Sequence, residues 1–512
     1  MSQAKKNSIF RSPFSSKENQ TSLLTAISIV GVLVGYIWFV SFGLWTKWHN
    51  TTDYYDQLAT AFGHGSLSLE KQVNPALLTL PDPYEPKERA KIDYPLDFTL
   101  YNGKYYLYFG PVPALALLPF KFLGFGKIND QYLVFIFISG IFIFQSLLIM
   151  EIRGRFFPEI PVWLLSTCII FGGLAAPLTW MLTEGRVYEA SGAGGQFFFI
   201  MGLYFAFTAL KKDPISSRRL LISSISWVLA VGSRITQALP VGFVVLVLIF
   251  LVIRASFQTK SLSQAVCRIA AIGLPLAIGI GILGWYDWAR FGSVFETGFS
   301  YQLTTTFLQQ YSRVLFSPIY ALPNLYDYVA APPKIDSLFP FLKPIRGRGN
   351  LVFPFLVMPK IYYTRAMTGF LFSTPFVLFA CLSVISIPFP TRGAKAQENP
   401  NENGNLLRWT IISLLGAFLL GFGVIISFFW VVTRYLIECM PALIILSIIG
   451  FWLGYRWLSH WPVIRYMYTA IGVGLAIISI AGSNLLVLSM RASLFQTLNP
   501  VLWNQLNSLF AH

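Results

Sequence analysis

Long apolar runs separated by short polar connections dominate the chain, and only two polar stretches are long. Eleven apolar runs stand out, at 22–45, 131–150, 162–182, 195–210, 220–231, 236–253, 270–288, 367–387, 410–432, 436–455 and 468–488. A helix of about 20 residues crosses the ~30 Å hydrocarbon core of a bilayer, where every backbone polar group must be satisfied internally. The pattern predicts an all-α polytopic membrane protein, a bundle of about eleven transmembrane helices with two large outer loops. A further apolar run, 105–125, is interrupted by Pro111, Pro113 and Pro119. It reads as a segment lying along or dipping into the outer surface, because proline removes helix donors.

Charge sets the expected orientation. If 105–125 does not cross, the short basic connections fall on one side with the N-terminus: Lys5/Lys6/Arg11/Lys17, Arg153/Arg155, Lys211/Lys212/Arg218/Arg219, Arg254/Lys260/Arg268, Arg392/Lys395/Arg408 and Arg456/Arg465. Short cytoplasmic loops carry such an excess of Lys and Arg. The layout is then a cytoplasmic tail over 1–21 and a transmembrane domain over 22–490. That domain has outer loops at 46–130 and 290–365 and a polar inner linker at 390–409. The tail over 491–512 places Phe495, Leu498, Leu502, Leu506 and Leu509 at helical spacing, as an amphipathic anchor on the outer face. The first apolar segment lacks a small-residue cleavage site and reads as a signal anchor in the plasma membrane.

Composition agrees with this class: 55% of the 512 residues are hydrophobic and only 12% charged. Mean hydropathy is +0.60. The formal charge of +16 reflects loop sidedness rather than nucleic-acid binding, since the basic residues are dispersed and no basic-aromatic motif is present. The four cysteines avoid both large loops and have neither disulfide nor zinc spacing. No internal repeat is evident, which weakens an inverted-repeat transporter reading.

Against this apolar background, Asp53 and Asp56 need a reason. They stand just beyond the first span at i, i+3, on one face of a short helix over Tyr54, Leu58, Ala61 and Phe62 that Gly63 and Gly65 should end. Either they do chemistry at the membrane edge or they are a solvated helix start. His64 has no partner at metal-ligand spacing and reads as structural. Asn102-Gly103 predicts a hairpin turn. Tyr105, Tyr106 and Tyr108 suit a membrane-interface belt or a sugar-stacking surface, with Tyr54 also near the two carboxylates. Arg234 and Arg434 lie at expected outer helix ends, against the charge bias of short loops. Such residues normally face a protein interior or an aqueous cavity. A guanidinium fork suits phosphate. The alternative for Arg434 is an i, i+4 pair with Glu438, and for Arg290 a pair with Asp287. The second outer loop holds eight Lys/Arg against three Asp/Glu. It could cover a site, contact anionic lipid or simply be soluble surface.

The motifs YYDQLATAF-x-HG-x-L, LPDPYEP, LYNGKYYLYFGPVPAL and WARFGSVFETGFSYQL resemble a bacterial family of lipid-carrier-dependent membrane glycosyltransferases of GT-C architecture, related to the protein mannosyltransferase group. The resemblance covers most of the chain and is weak for substrate. It implies inverting transfer of a sugar from a polyprenyl-phosphate donor to an acceptor hydroxyl on the outer face. It also implies Asp53 as general base with Asp56 second, and Glu189 in TEGRVYEASGAGG as a second acidic residue. Relatives carry Arg-Pro-Asp where this chain has Val187-Tyr188-Glu189, so that last correspondence is approximate. Arg434 and Arg234 are then expected to bind the donor phosphate. Tyr54, Tyr105 and Tyr106 are expected to contact sugar or acceptor, which could be a glycan, a lipid or a protein. No cofactor is certain. Two carboxylates offer oxygen ligands to a divalent cation but are too few to define a site. The rival readings are a lipid or glycan transporter without chemistry, and an assembly protein whose loops bind a partner.

Overall fold

The computed structural model describes residues 16–175, 177–212, 214–259, 262–388 and 400–510. Most of the N-terminal tail and the 390–399 part of the expected linker lie outside these residues. Among the described residues, nine helices are long and apolar enough to cross a membrane: Leu23–Val40, Asp130–Phe156, Val162–Glu184, Val187–Leu210, Ile235–Ser256, Ser263–Phe291, Asn405–Ile426, Met440–Trp457 and Pro462–Met490. The chain is a polytopic helical membrane protein.

Two of the eleven expected spans differ, for local reasons. The 220–231 run lies in the Ser217–Ser233 helix, only 17 residues long, which packs between Val187–Leu210 and Leu262–Phe291. The 367–387 run is not one helix. It breaks into a strand, Ala366–Met367, a turn of helix, Phe370–Ser373, and a 12-residue apolar helix over Pro375–Ser386. Pro375 removes a donor at the break. Gly369 lets the chain pass so close to Val329 that a Cβ would sit 2.5 Å from its backbone. The linker expected to reach 409 is already helical from Pro400. The proline-interrupted run forms a helix of 11 residues, Val112–Phe122, about half of what a bilayer crossing needs.

The Val187–Leu210 helix begins eight residues before the expected start at 195 and so includes Glu189. Its first turns carry Ala190, Gly192, Ala193, Gly194 and Gly195. A Cβ at Gly195 would lie 2.8 Å from Arg234 Cβ, and one at Gly192 would lie 3.2 Å from Ile437. Small residues let backbones approach within the bundle. Here they let the segments carrying Arg234 and Arg434 close on one helix end.

The large loops gather at the end of the bundle where this helix starts. In the first, strands Thr99–Tyr101 and Lys104–Tyr106 pair antiparallel across Asn102-Gly103, both at positive φ (48° and 69°). That is the conformation a two-residue primed turn requires. The Tyr54–Gly63 helix packs on Val112–Phe122. Asp130, fully buried, ties it to the bundle: Oδ2 accepts from Thr52 Oγ1 (2.5 Å) and Tyr54 N (3.1 Å), and Oδ1 from Tyr55 N (3.2 Å). In return Asp130 N donates to Thr52 O (2.7 Å), and Val187 N donates to Thr52 Oγ1 (2.8 Å). A carboxylate from the next span thus caps the short helix that the chain's own Asp53 does not cap. The second loop is anchored by a parallel pairing of Tyr363–Thr364 with Trp430–Val431. The C-terminal helices Ala492–Leu498 and Pro500–Leu509 bury Phe495 and Trp503 against Phe42 and Leu488, while Val501 and Leu509 stay exposed. One face of the tail therefore docks on protein, a use its spacing alone did not reveal.

Asp130→Ala leaves two backbone donors and a hydroxyl unpaired in a buried place, a cost of about 1–3 kcal/mol for each unsatisfied group. We expect a lower thermal midpoint in detergent and faster proteolysis within 53–63. Unchanged protease resistance would show that the tie does not hold this helix.

Candidate active site

An elongated cavity of about 1110 Å³, its open mouth included, runs between Ser217–Ser233, Leu262–Phe291, Asn405–Ile426 and the loops above them. Its walls are mainly apolar, with Val231, Leu283, Phe299, Phe316, Val424 and Phe428 among them. A smaller chamber of about 290 Å³ adjoins it and contains Tyr188 and Arg434. Both are lined by Tyr108, Arg234, Tyr435 and Glu438, so these four residues form the passage between them.

The charges at this passage are paired across elements. Arg234, just after the Ser217–Ser233 helix, donates through Nε to Glu438 Oε1 at 3.0 Å. Arg434, in the 3-10 turn Thr433–Glu438, lies 3.9 Å from Glu189 Oε1 and sits over the rings of Tyr188 (4.7 Å), Tyr435 (5.2 Å) and Trp430 (5.6 Å). Arg434 therefore does not pair with Glu438. The i, i+4 alternative fails because the six residues Thr433–Glu438 form a 3-10 turn, whose side chains project differently from an α-helix. The alternative for Arg290 does hold: it pairs with Asp287 at 2.5 Å, and both residues line the large cavity. Glu189 is 1% exposed, and its Oε2 has no hydrogen-bond partner. A buried carboxylate oxygen without a partner is costly, and Glu189 itself lines neither cavity.

Asp97 joins the same cluster. It accepts a hydrogen bond from the Tyr188 hydroxyl, and its backbone adopts a φ of 62°, held by Asp97 N donating to Leu303 O (2.9 Å). Burial raises the Asp97 carboxyl above its ordinary value, against the opposing Tyr188 hydrogen bond and Arg434 charge. Nothing in the sequence pointed to Asp97, Tyr435 or the site positions of Tyr188 and Glu438, whereas Tyr108 stood out only as one of three loop tyrosines. Two guanidiniums, Arg234 and Arg434, thus stand among three carboxylates, Glu189, Glu438 and Asp97, so this cluster carries no excess positive charge. An anion gains hold of Arg234 by competing with Glu438, or gains when a carboxylate takes a proton.

Asp53 and Asp56 diverge. Asp53 lies next to Thr52, at the start of the helix carrying Glu189, but lines neither cavity. Lys127 Nζ sits 2.6 Å from its Oδ2, and Gln57 Nε2 donates to Oδ1 at 2.9 Å. Burial alone would raise the Asp53 carboxyl, but Lys127 and Gln57 hold it below the ordinary range. Asp56 is buried, paired with Lys121 and accepting from Ile128 N (3.1 Å). Its contacts join the Tyr54–Gly63 helix to Val112–Phe122, and the solvated-helix alternative does not describe it.

The tyrosines expected at a surface are mostly interior. Tyr105 is buried edge-on against Phe98, and Tyr106 is buried against Phe291. Alternation along the strand puts both on packed faces of a hairpin that is covered on each side. Tyr54 is half-buried and donates to Leu96 O (3.2 Å), beside Asp97. Tyr108 alone of the 105–108 aromatics lines the passage. Among the described residues no group of three or more His, Cys, Asp or Glu side chains could hold a metal ion. A divalent cation fits Asp53 and Asp56 poorly, since each carboxylate already has a lysine.

A second network braces the neighbouring corner. Glu184, buried, pairs with Arg186 (3.1 Å) and with Arg491 at the start of the C-terminal tail, whose guanidinium lies over Trp180. Gly185, at φ 55°, then turns the chain into the helix that bears Glu189 and accepts a bond from Thr51. The tail is thereby linked to the corner that holds Asp53.

No protein-family profile and no curated protein matches the chain. Solved structures similar to it include the archaeal oligosaccharyltransferase AglB from Archaeoglobus fulgidus in complex with an inhibitory peptide and a dolichol-phosphate, at TM-score 0.46 and 9% identity, covering 91% of this chain and 55% of that one. The apo form of the Archaeoglobus fulgidus oligosaccharyltransferase gives TM-score 0.42 and 11% identity, over 91% of this chain and 56% of that one. This chain thus spans just over half the length of both. ArnT from Cupriavidus metallidurans bound to undecaprenyl phosphate gives TM-score 0.42 and 11% identity, over 94% of this chain and 77% of that one.

Proposed function

We propose that the chain is a GT-C-type glycosyltransferase of the plasma membrane. It moves a sugar from a polyprenyl-phosphate donor to an acceptor hydroxyl, with inversion, at the outer face. The observation that carries this reading is the apolar cavity lined at its polar end by Arg234 and Glu438, next to the small chamber that Arg434 and Tyr188 line. A polyprenyl chain is apolar and its phosphate is anionic, so one molecule would use both parts. The apolar walls take the chain by excluding water from it. The guanidiniums take the phosphate through charge-assisted bonds. The resemblance of the loop motifs supplies the reaction class.

In this mechanism the acceptor oxygen attacks the anomeric carbon from the face opposite the phosphate. The carbon–oxygen bond to phosphate breaks, and the leaving lipid phosphate keeps the electron pair beside Arg434 and Arg234. The acceptor proton passes to a carboxylate, Asp53 in our assignment. Asp53 is held deprotonated, as a base must be, and Lys127 would have to release it on substrate binding. Asp97 is the second candidate, favoured by its bond to Tyr188 next to Arg434. Burial makes the Asp97 carboxyl the stronger proton acceptor, whereas Lys127 and Gln57 make that of Asp53 the weaker one. Glu189 Oε2 would accept from a sugar or acceptor hydroxyl, with Tyr54 near the same side.

The direct experiment is to incubate purified protein with a panel of polyprenyl-phosphate sugars and measure release of the lipid phosphate. Loss of a positioned base costs ~10²–10⁴-fold. We expect that loss in Asp53→Asn with donor binding retained. Full turnover in Asp53→Asn and loss in Asp97→Asn would transfer the role to Asp97. Passage of lipid-linked sugar across proteoliposome membranes without phosphate release would favour the transporter reading.

Donor affinity tests the phosphate grip. Arg434→Gln should weaken polyprenyl-phosphate binding about 10–100-fold, as for loss of a charged hydrogen bond of about 1.5–3 kcal/mol. Arg434→Lys should recover little, since an ammonium cannot reproduce the planar fork. Equal affinity in all three proteins would remove Arg434 from the site. Asp97 also makes a pH prediction: below its raised pKa the carboxyl is neutral, so donor affinity should increase as pH falls toward that value. Asp97→Asn should abolish the trend.

A further inference from the structure

The second loop carries a compact set of exposed apolar and basic side chains that neither cavity uses. In GNLVFPFLVMPK, residues 349–360, Leu351 is 68%, Phe355 70% and Val357 84% exposed. Arg346, Arg348, Lys360 and Arg365 flank them and are exposed as well. Across 334–365 there are six basic residues and one acidic residue, Asp336, which already binds Lys343 Nζ (2.6 Å). An apolar tip with a basic rim is the composition of a segment that rests in a membrane interface, since the tip leaves water and the rim meets anionic headgroups.

The anchoring of this segment places it at the right level. Tyr363–Thr364 pairs with Trp430–Val431, four residues beyond the Ile426 end of a membrane-length helix. Arg346 and Arg365 lie over the rings of Tyr363 (5.1 Å) and Trp430 (5.7 Å). Aromatic side chains of this kind sit at the bilayer boundary. Val357 is six residues from Tyr363, and an extended chain of that length reaches about 20 Å at most. Met358 packs on the cluster of Leu315, Tyr320, Ile361 and Phe429, next to Phe316 and Phe428 of the cavity wall.

We propose that residues 351–357 insert into the interface of the adjacent leaflet, and that Arg346, Arg348 and Lys360 bind anionic phospholipid headgroups there. This surface contact is independent of any transfer chemistry. It would seat the cavity wall carrying Phe316 and Phe428 directly on the lipid.

The test places a nitroxide at Val357→Cys in protein carrying Cys267→Ser and Cys381→Ser, with the buried Cys168 and Cys439 kept. A second label at Leu351→Cys guards against a local effect of the first. In lipid nanodiscs, power saturation compares collisions with oxygen, which concentrates in lipid, and with a neutral nickel chelate, which stays in water. We expect the oxygen-to-nickel ratio to exceed one at both positions. It should rise when phosphatidylglycerol replaces part of the phosphatidylcholine. The rise should vanish in the triple variant Arg346→Gln/Arg348→Gln/Lys360→Gln. A nickel-dominated label would make the loop aqueous, and low collision with both reagents would make it a protein contact, such as a second copy. Either result overturns the proposal, as does a ratio indifferent to lipid charge.

Discussion

Charges that leave water at the end of a helical bundle must find one another, and that requirement shapes this protein's polar corner. Arg234 meets Glu438, and Arg434 approaches Glu189, across three separate elements. Removing one partner from such a pair leaves an uncompensated buried charge, costing about 3–5 kcal/mol. The small residues 190–195 allow the approach, and the resulting passage connects an apolar cavity to a polar chamber. Asp130 and Glu184 apply the same logic outside the passage, using buried carboxylates to hold the first loop and the tail in register with the bundle.

This arrangement makes the site a junction of two environments. Apolar walls offer nothing to a sugar but much to a hydrocarbon chain, whereas the Tyr108–Tyr435 passage offers donors, acceptors and guanidiniums. The near balance of charge matters too. A site of excess positive charge would bind any anion. In the proposed function, one whose guanidiniums are already partnered would select a ligand that also fills the apolar cavity, because such a ligand gains contacts there that offset its competition with Glu438.

The bundle was legible because apolar length is a local property. The helix stop at Gly65 and the Asn102-Gly103 turn were legible for the same reason, as φ > 0 at glycine and asparagine is written in one or two residues. Local breaks inside apolar runs were harder. Pro375 stood in plain sight within 367–387, but the close passage of Gly369 against Val329 that accompanies the break is a tertiary fact. The site was legible only as residue types. Glu189, Arg234 and Arg434 could be singled out because charge is rare in apolar surroundings, yet their pairing crosses as many as 245 positions (434 less 189). Asp97 sat in an ordinary polar loop, and only folding brings it to Tyr188. Tyr105 and Tyr106 show the converse: aromatic residues near a membrane edge read as surface, and hairpin packing buried them.

In the proposed complex one amphiphile occupies the cavity, its phosphate on Arg234 and Arg434 and its chain along the apolar wall. The most direct measurement is a cryo-electron microscopy structure of the protein in nanodiscs with saturating polyprenyl phosphate. The account requires phosphate density within hydrogen-bonding reach of both guanidiniums, with chain density running past Leu283, Phe316 and Phe428. Phosphate density elsewhere, with Arg234 still on Glu438 and an empty cavity, would contradict it.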